Sequence, residues 1–301
     1  MKKTIIPMIA LLLSVVLAAC APVTDTTDDK TPVSSSPSAS LPTNSESSGQ
    51  PEAAVSIAEQ VIYEQDGIRV TALSLEQDNI WGPSVKVLVE NDSGQNITVQ
   101  TRNCSVNDLM TDPMFSCDVA SGKKANDSIT LLSSSLEAAN ITTIQKIEFS
   151  LYIFNTDSWE EIATSETITL TTSADPAFVQ TYDDSGFVAY DDSGIKIVIQ
   201  KLNSSDSFWG SEVYVYAENN TGSNITIQAR DVSINGFMVD PAFSCDIVAG
   251  KKAYDTITFF ESDLEENSIT DITELEIKFY IFSSDSWEDI HETDAITVTF
   301  E

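Results

Sequence analysis

From Val61 to the end of the chain, apolar and polar residues alternate with the two-residue period of β-strands, not the helical period of about 3.6. Val85, Val87 and Val89 alternate with Lys86, Leu88 and Glu90 before the turn Asn91-Asp92-Ser93-Gly94. Val213, Val215 and Ala217 alternate with Tyr214 and Tyr216 before Asn219-Asn220-Thr221-Gly222. The most regular strand places Ile147, Phe149, Leu151 and Ile153 inward and Glu148, Ser150 and Tyr152 outward. Its counterpart sets Leu275, Ile277, Phe279 and Ile281 against Glu276, Lys278 and Tyr280. Asn235-Gly236, between DVSI and FMVD, predicts a type I′ hairpin, and Asn107-Asp108 is a weaker version of it. The one helical signal is LEAAN and LEENS, one or two turns with Ser135 or Asp263 as the cap.

These paired examples are an internal duplication. Trp81 and Trp209 are separated by 128 residues, as are Asn91 and Asn219, Cys117 and Cys245, and Trp159 and Trp287. NIWGPSVKVLVENDSGQNITVQTR matches SFWGSEVYVYAENNTGSNITIQAR, and DPMFSCDVASGKKANDSIT matches DPAFSCDIVAGKKAYDTIT. IEFSLYIFNTDSWEEI matches LEIKFYIFSSDSWEDI without a gap. Two copies are not an array, so each is expected to fold as a domain of ordinary size, over residues 56–174 and 187–301. The join falls near Thr172 to Gly186, where SADPAF and DDSG form turns.

The first residues follow a different logic. Lys2 and Lys3, the apolar stretch from Ile5 to Leu17 and the small residues Ala18 and Ala19 read as a secretory signal over residues 1–19. A cysteine directly after the small residues, in Leu17-Ala18-Ala19-Cys20, resembles a bacterial lipoprotein lipobox. That resemblance implies that Cys20 is lipidated, anchoring an extracytoplasmic protein to the cell membrane. Residues 20–55 are mostly Ser, Thr, Pro, Asp and Asn and cannot build a core. They read as a disordered tether with a reach of roughly 30 Å.

The formal net charge is −32, and loss of Lys2 and Lys3 with the signal would make it −34. Such a surface repels nucleic acid and anionic headgroups, so no nucleic-acid partner is expected. With Cys20 set aside, Cys104, Cys117 and Cys245 remain, an odd number. Cys104 and Cys117 are candidates for a local disulfide. Val232 stands where Cys104 would be in the second copy, so the alternative is that the shared cysteine is a small buried apolar residue.

Short strands with regular turns predict an all-β fold of two tandem antiparallel β-sandwiches. Their strand order is similar to the immunoglobulin-like domains of uncharacterised Gram-positive surface lipoproteins. The matching residues are Asn91 and Asn219 and the turns Gly122-Lys123-Lys124 and Gly250-Lys251-Lys252. The Cys…Trp…Cys core of antibody domains is absent. The resemblance implies an architecture and no activity.

Catalytic signals are thin. His291 is the only histidine and its counterpart is Ala163, so neither nucleophilic catalysis nor a His-based zinc site finds its base or ligands. The Gly-Lys-Lys turns lack the first glycine and the hydroxyl residue of a phosphate loop and read as turns into strands. Asp183-Asp184, Asp191-Asp192, Glu160-Glu161 and Glu288-Asp289 are carboxylate pairs of the kind any acidic chain contains. YDDSGFVAYDDSG lacks the EF-hand pattern, so its DDSG turns read as hairpins and not as calcium loops. No cofactor or metal is expected.

The aromatic residues are the binding candidates: Trp81, Trp209, Trp159 and Trp287, with Tyr214 and Tyr216 on an outward face of the second copy. Core or edge packing is the commoner role for such tryptophans. Where exposed, they suit a sugar ring or a peptide. The expected function is therefore non-enzymatic binding at the cell surface, with an envelope protein, peptide or glycan as ligand. The alternatives are an assembly spacer and a calcium-dependent module.

Overall fold

The alternating segments become strands, in the same order twice. The computed structural model describes residues 55–77, 80–203 and 210–300; Cys20, the expected signal and tether, and Trp209 lie outside them. The first repeat runs β1 (Gln60–Gln65), β2 (Ile68–Glu76), β3 (Ser84–Asn91), β4 (Ile97–Val106), β5 (Leu109–Met110) and β6 (Ser116–Val119). It continues with β7 (Lys123–Thr130), the short helix α1 (Ser133–Ala138), β8 (Lys146–Asn155), β9 (Glu161–Thr164) and β10 (Ile168–Thr171). The second repeat begins β11 (Phe187–Asp192), β12 (Ile195–Asn203), β13 (Gly210–Asn219), β14 (Ile225–Ile234), β15 (Phe237–Met238) and β16 (Ser244–Ile247). It ends with β17 (Lys251–Phe260), α2 (Glu261–Glu266), β18 (Glu274–Ser283), β19 (Asp289–Glu292) and β20 (Ile296–Thr299).

Each repeat packs two antiparallel sheets face to face. In the first, β1-β2-β3-β7 lies against β10-β8-β4, with β5 and β6 paired to β4 and β9 to β8. Val85, Val87 and Val89 from one sheet meet Ile147, Phe149, Leu151 and Ile153 from the other, all fully buried. The second repeat reproduces this core with Val213, Val215 and Ala217 against Leu275, Ile277, Phe279 and Ile281. The period-2 pattern fixes this register, since a slip of one residue would turn every one of these side chains to the outside.

Two polar devices recur in both copies. Asn91, fully buried, donates to the carbonyls of Gln95 and Val119 (both 2.8 Å) and accepts from the Ser93 N–H and hydroxyl (3.1 and 2.6 Å). Asn219 does the same with Ser223, Ile247 and Thr221. One side chain thereby closes the turn after β3 and ties it to β6, satisfying groups that burial would otherwise orphan. Gly82 and Gly210 serve close approach. A Cβ on either would sit 2.1 Å from a carbonyl oxygen, of Leu131 or of Phe259. The Trp-Gly step thus marks the point where β3 or β13 starts against the strand beside it.

Three sequence expectations need correction. The helices start earlier than the Ser135 and Asp263 caps predict: Leu132 and Phe260 hold the cap positions without side-chain caps, leaving Ser135 and Asp263 inside the first turn. Cys104 and Cys117 are free, buried thiols. Cys117 pairs with Val99 on β4, five residues before Cys104. At about 3.3 Å per residue, that separation far exceeds the reach of about 7 Å that a disulfide allows. Tyr216, expected on an open face, is 1% exposed. The connection between the repeats crosses that face: Asp183 O accepts from Gln200 and the Tyr254 hydroxyl (2.8 and 2.9 Å), and Lys196 bonds Asp184 (2.6 Å). Beneath it the Tyr216 ring tilts against Tyr254, and its hydroxyl donates to Glu218 at 2.6 Å.

The two repeats, each with its own core, pack directly against each other. Glu52–Glu301 form one compact unit. Leu109 on β5 pairs in parallel with Lys252 on β17, whose N–H donates to Asp108 O at 2.9 Å, so one ten-stranded sheet runs from repeat to repeat. Lys251, 9% exposed, inserts between Asp108 (2.7 Å) and Glu148, while Lys146 bonds the same two carboxylates at 2.7 and 2.9 Å. Burial raises the Glu148 carboxyl, but hydrogen bonds from Lys251 and Lys146 more than offset it and hold it below its ordinary value. Asp108 is lowered by the same balance, with Lys146 and Lys251 as donors.

Two outcomes follow for stability. Asn91→Ala should cost about 2–4 kcal/mol in denaturant melts followed by circular dichroism, because it orphans buried carbonyls; a loss under about 0.5 kcal/mol would refute this role. Glu148→Gln should cost about 1–3 kcal/mol at pH 7. A carboxyl held low in the fold binds fewer protons than the unfolded chain does. Its contribution is thus present above the ordinary value of about 4 and fades as pH falls through the lowered folded value. Melts from pH 6 to pH 2 should show wild type and variant converging on the acid side, and a constant gap would contradict the assignment.

Candidate functional site

Strand alternation puts Tyr152 and Phe154 on the outer face of β8, and Tyr280 and Phe282 on that of β18. The turn that follows is closed twice across its neck. Asn155 N–H donates to Glu160 O (2.9 Å), and Trp159 N–H donates to Asn155 O (2.8 Å). The Asn155 side chain also caps the N–H groups of Asp157 and Ser158, both at 2.9 Å. Ser283 replaces Asn155 in the second copy and keeps both neck bonds, to Glu288 and Trp287. Trp159 and Trp287 consequently sit in the left-handed region, at φ 62° and 63°. A bulky residue rarely adopts that conformation, and it costs of order 1–3 kcal/mol.

The strained turn aims each indole onto a phenylalanine and leaves it in solvent. Trp159 and Trp287 are 75% and 76% exposed. Trp159 stacks on Phe154 at 5.5 Å and 17°, and Trp287 on Phe282 at 5.6 Å and 17°. Phe154 lies 5.5 Å from Tyr152, and Phe282 lies 5.4 Å from Tyr280. An arginine closes the far end: Arg102 lies 4.9 Å from the Tyr152 ring centre and Arg230 3.4 Å from that of Tyr280. Each arginine directly precedes a bulge in β4 or β14, where Asn103 (φ 53°) and Asp231 (φ 48°) are left-handed. The product is a stepped strip of one cation and three rings, made twice.

Polar groups rim the strips. Asn96 donates to Asp157 (3.1 Å) beside Trp159, and Asn224 donates to Asp285 (3.1 Å) beside Trp287. The Tyr280 hydroxyl donates to Asp289, which raises that phenol above its ordinary value, and Arg230 pairs with Glu292 at 3.3 Å. Phe154 and Phe282 are buried beneath the indoles, so the exposed apolar face is the indole itself. Carboxylates, amides and hydroxyls around it are the pieces of a site that stacks one face of a ligand and hydrogen-bonds its edge.

Arg102 also belongs to a cleft of 370 Å³ between the repeats, lined by Asp112, Asp246, Asp255, Cys104 and Cys245 among others. Burial, aided by Asp112, pushes the Cys104 thiol up to about 12, and burial with Asp255 raises Cys245 well above its usual range. Burial raises the Asp255 carboxyl too. Protonated thiols are poor nucleophiles. Among the described residues, no three His, Cys, Asp or Glu side chains converge as metal ligands.

The sequence candidates fall unevenly. Trp81 is 63% exposed, three residues before β3, whose sheet is not the one that carries the strip of that repeat. Tyr214 is half-buried under Lys201, 4.9 Å from its ring centre, and Tyr216 is sealed beneath the connection. His291 stacks on Tyr190 at 4.8 Å. Phe154, Phe282, Arg102 and Arg230 were not singled out by sequence. Their signal was their presence in both copies, in LYIF and FYIF and in TVQTR and TIQAR.

The sequence matches no protein-family model and no curated protein.

Packing and presentation of the indole predict opposite responses to mutation. Trp159→Gly removes a stack worth about 0.5–1.5 kcal/mol but also releases the left-handed strain, so stability should stay within about 1 kcal/mol of wild type. Phe154→Ala should instead cost about 3–5 kcal/mol, since Phe154 is buried. A loss above about 3 kcal/mol for Trp159→Gly, measured by calorimetry, would make the indole a packing residue.

Proposed function

We propose that this chain is a lipid-anchored, extracytoplasmic binding protein that holds glycan at the cell surface through the two aromatic strips, without catalysis. The observation that carries the reading is the exposed tryptophan kept in a strained turn in both repeats. For the fold, the stack on Phe154 or Phe282 does little more than offset that strain, whereas a sugar ring gains an apolar face to stack on. The rim of carboxylates and amides supplies partners for hydroxyl groups, and Arg102 and Arg230 give each strip a fixed end. A peptide or an envelope protein with exposed aromatic or aliphatic groups would use the same surface.

Membrane anchorage rests on the lipobox-like Cys20, and the immunoglobulin-like assignment rests on the strand order and the shared Asn91 and Asn219 turns. The non-enzymatic reading is supported by the protonated thiols of the cleft and by His291 lying against Tyr190, not beside a nucleophile. The net charge of −32 argues against nucleic acid. A second reading, an assembly spacer, is favoured by one observation: one ten-stranded sheet runs through both repeats.

Glycan and peptide arrays probed with the full chain test the proposal. Trp159→Ala and Trp287→Ala should each weaken binding, and the double variant should lose at least ten-fold, about 1.4 kcal/mol. Retention of wild-type binding by the double variant, or absence of any bound glycan, would favour the spacer.

A further inference from the structure

The contact that joins the repeats has two faces, and each has an open copy elsewhere in the same chain. The first repeat contributes the Asn107-Asp108 turn, β5 and the start of β8. The second contributes the edge of β17 at Lys251 and Lys252. The counterpart of the first face is the Asn235-Gly236 turn with β15 and the start of β18. There Phe237 and Met238 are 48% and 66% exposed, in the positions of Leu109 and Met110. The counterpart of the second face is the start of β7, the last strand of its sheet, where Lys123 and Lys124 are exposed.

The two open faces are complementary in charge, although Gly236 stands where Asp108 does, so the second carboxylate has to come from a different position. Lys124 stands opposite Glu90 in β3 as Lys252 stands opposite Glu218 in β13, so the β7 edge offers the same register that β17 offers to β5. Lys123 occupies the position of Lys251. On the other face Glu276 occupies the position of Glu148, and Glu274 replaces Lys146, so two exposed carboxylates await a lysine. Edge lysines ordinarily discourage strand pairing. Here the copy of this edge that does pair carries the same two lysines and is accepted because acids meet them.

We propose that a second copy of this chain docks head to tail, its β7 edge with Lys123 and Lys124 laid along β15 and against Glu274 and Glu276. The contact is heterologous, so both ends of every assembly stay available and growth is open-ended. Within one chain the connection supplies an effective concentration of order millimolar, and the Tyr182 hydroxyl bonds Asn107 O across the join. Between chains Asn126 stands where Tyr254 would be, and the connection is missing. The association is therefore weak in dilute solution and strengthens where chains are crowded. It does not depend on what the aromatic strips bind.

Sedimentation velocity of the full chain across a hundred-fold concentration range is the test. Wild type should gain mass with concentration, whereas Lys123→Glu and Glu276→Lys should each weaken association at least ten-fold with unchanged circular dichroism. Mixing these two variants should restore association, because each supplies the charge the other lacks. Met238→Glu, at an exposed position, should also abolish it. A wild type that stays monomeric throughout overturns the proposal. So does association that is indifferent to Lys123→Glu, or a mixture no better than its components.

Discussion

Lys251 decides how the two repeats face each other. It is a long cationic side chain taken almost wholly out of water, and it is tolerable there only because Asp108 and Glu148 receive it and Lys146 balances the excess negative charge. If the repeats separated, Lys146 would keep both carboxylates, but Lys251 would lose both of its partners, so the cost of leaving this geometry falls on that one buried cation. The backbone bond from Lys252 to Asp108 then extends one sheet through both sandwiches. That continuity shapes the cleft between the repeats and sets the relation between the two strips. Burying charge is a poor way to gain stability, but it is a strong way to choose one docking geometry over its neighbours.

The strand pattern was legible because β3 and most of β8 and β18 alternate, even though β2, β4 and β12 carry runs of buried residues, and the duplication checked each assignment twice. What could not be read was anything set by contact between the copies. Tyr216 alternates outward in β13 and would be exposed in an isolated repeat; the connection from Tyr182 to Asp184 buries it, and no local pattern announces that. The Cys104 and Cys117 expectation failed for a related reason. Closeness in sequence says nothing about register along β4, which separates them. The helix caps failed because the chain enters α1 and α2 straight from a strand, through Leu132 and Phe260, and the first turn needs no hydroxyl.

For the binding surface, sequence supplied the tryptophans but not the strip. DSWEEI and DSWEDI read more readily as packed than as exposed, since a tryptophan after a core strand usually packs inward. The deciding fact is the backbone at Trp159 and Trp287. Two neck hydrogen bonds force a left-handed residue, and that swings the indole outward over Phe154 or Phe282. The arginines were equally hidden, because it is the bulges after Arg102 and Arg230 that turn them across the tyrosines.

The exposure of the indoles also changes how the protein can be watched. Among the described residues, Trp81, Trp159 and Trp287 already meet water in the native state, so unfolding alters the surroundings of these three little. The fluorescence of these three is therefore a dull reporter of melting. The same indoles would be a bright reporter of anything that covers them. Their equivalence imposes one more condition on such a signal: a ligand on a single strip shields one of two matched emitters, and the other continues to shine as if nothing had bound.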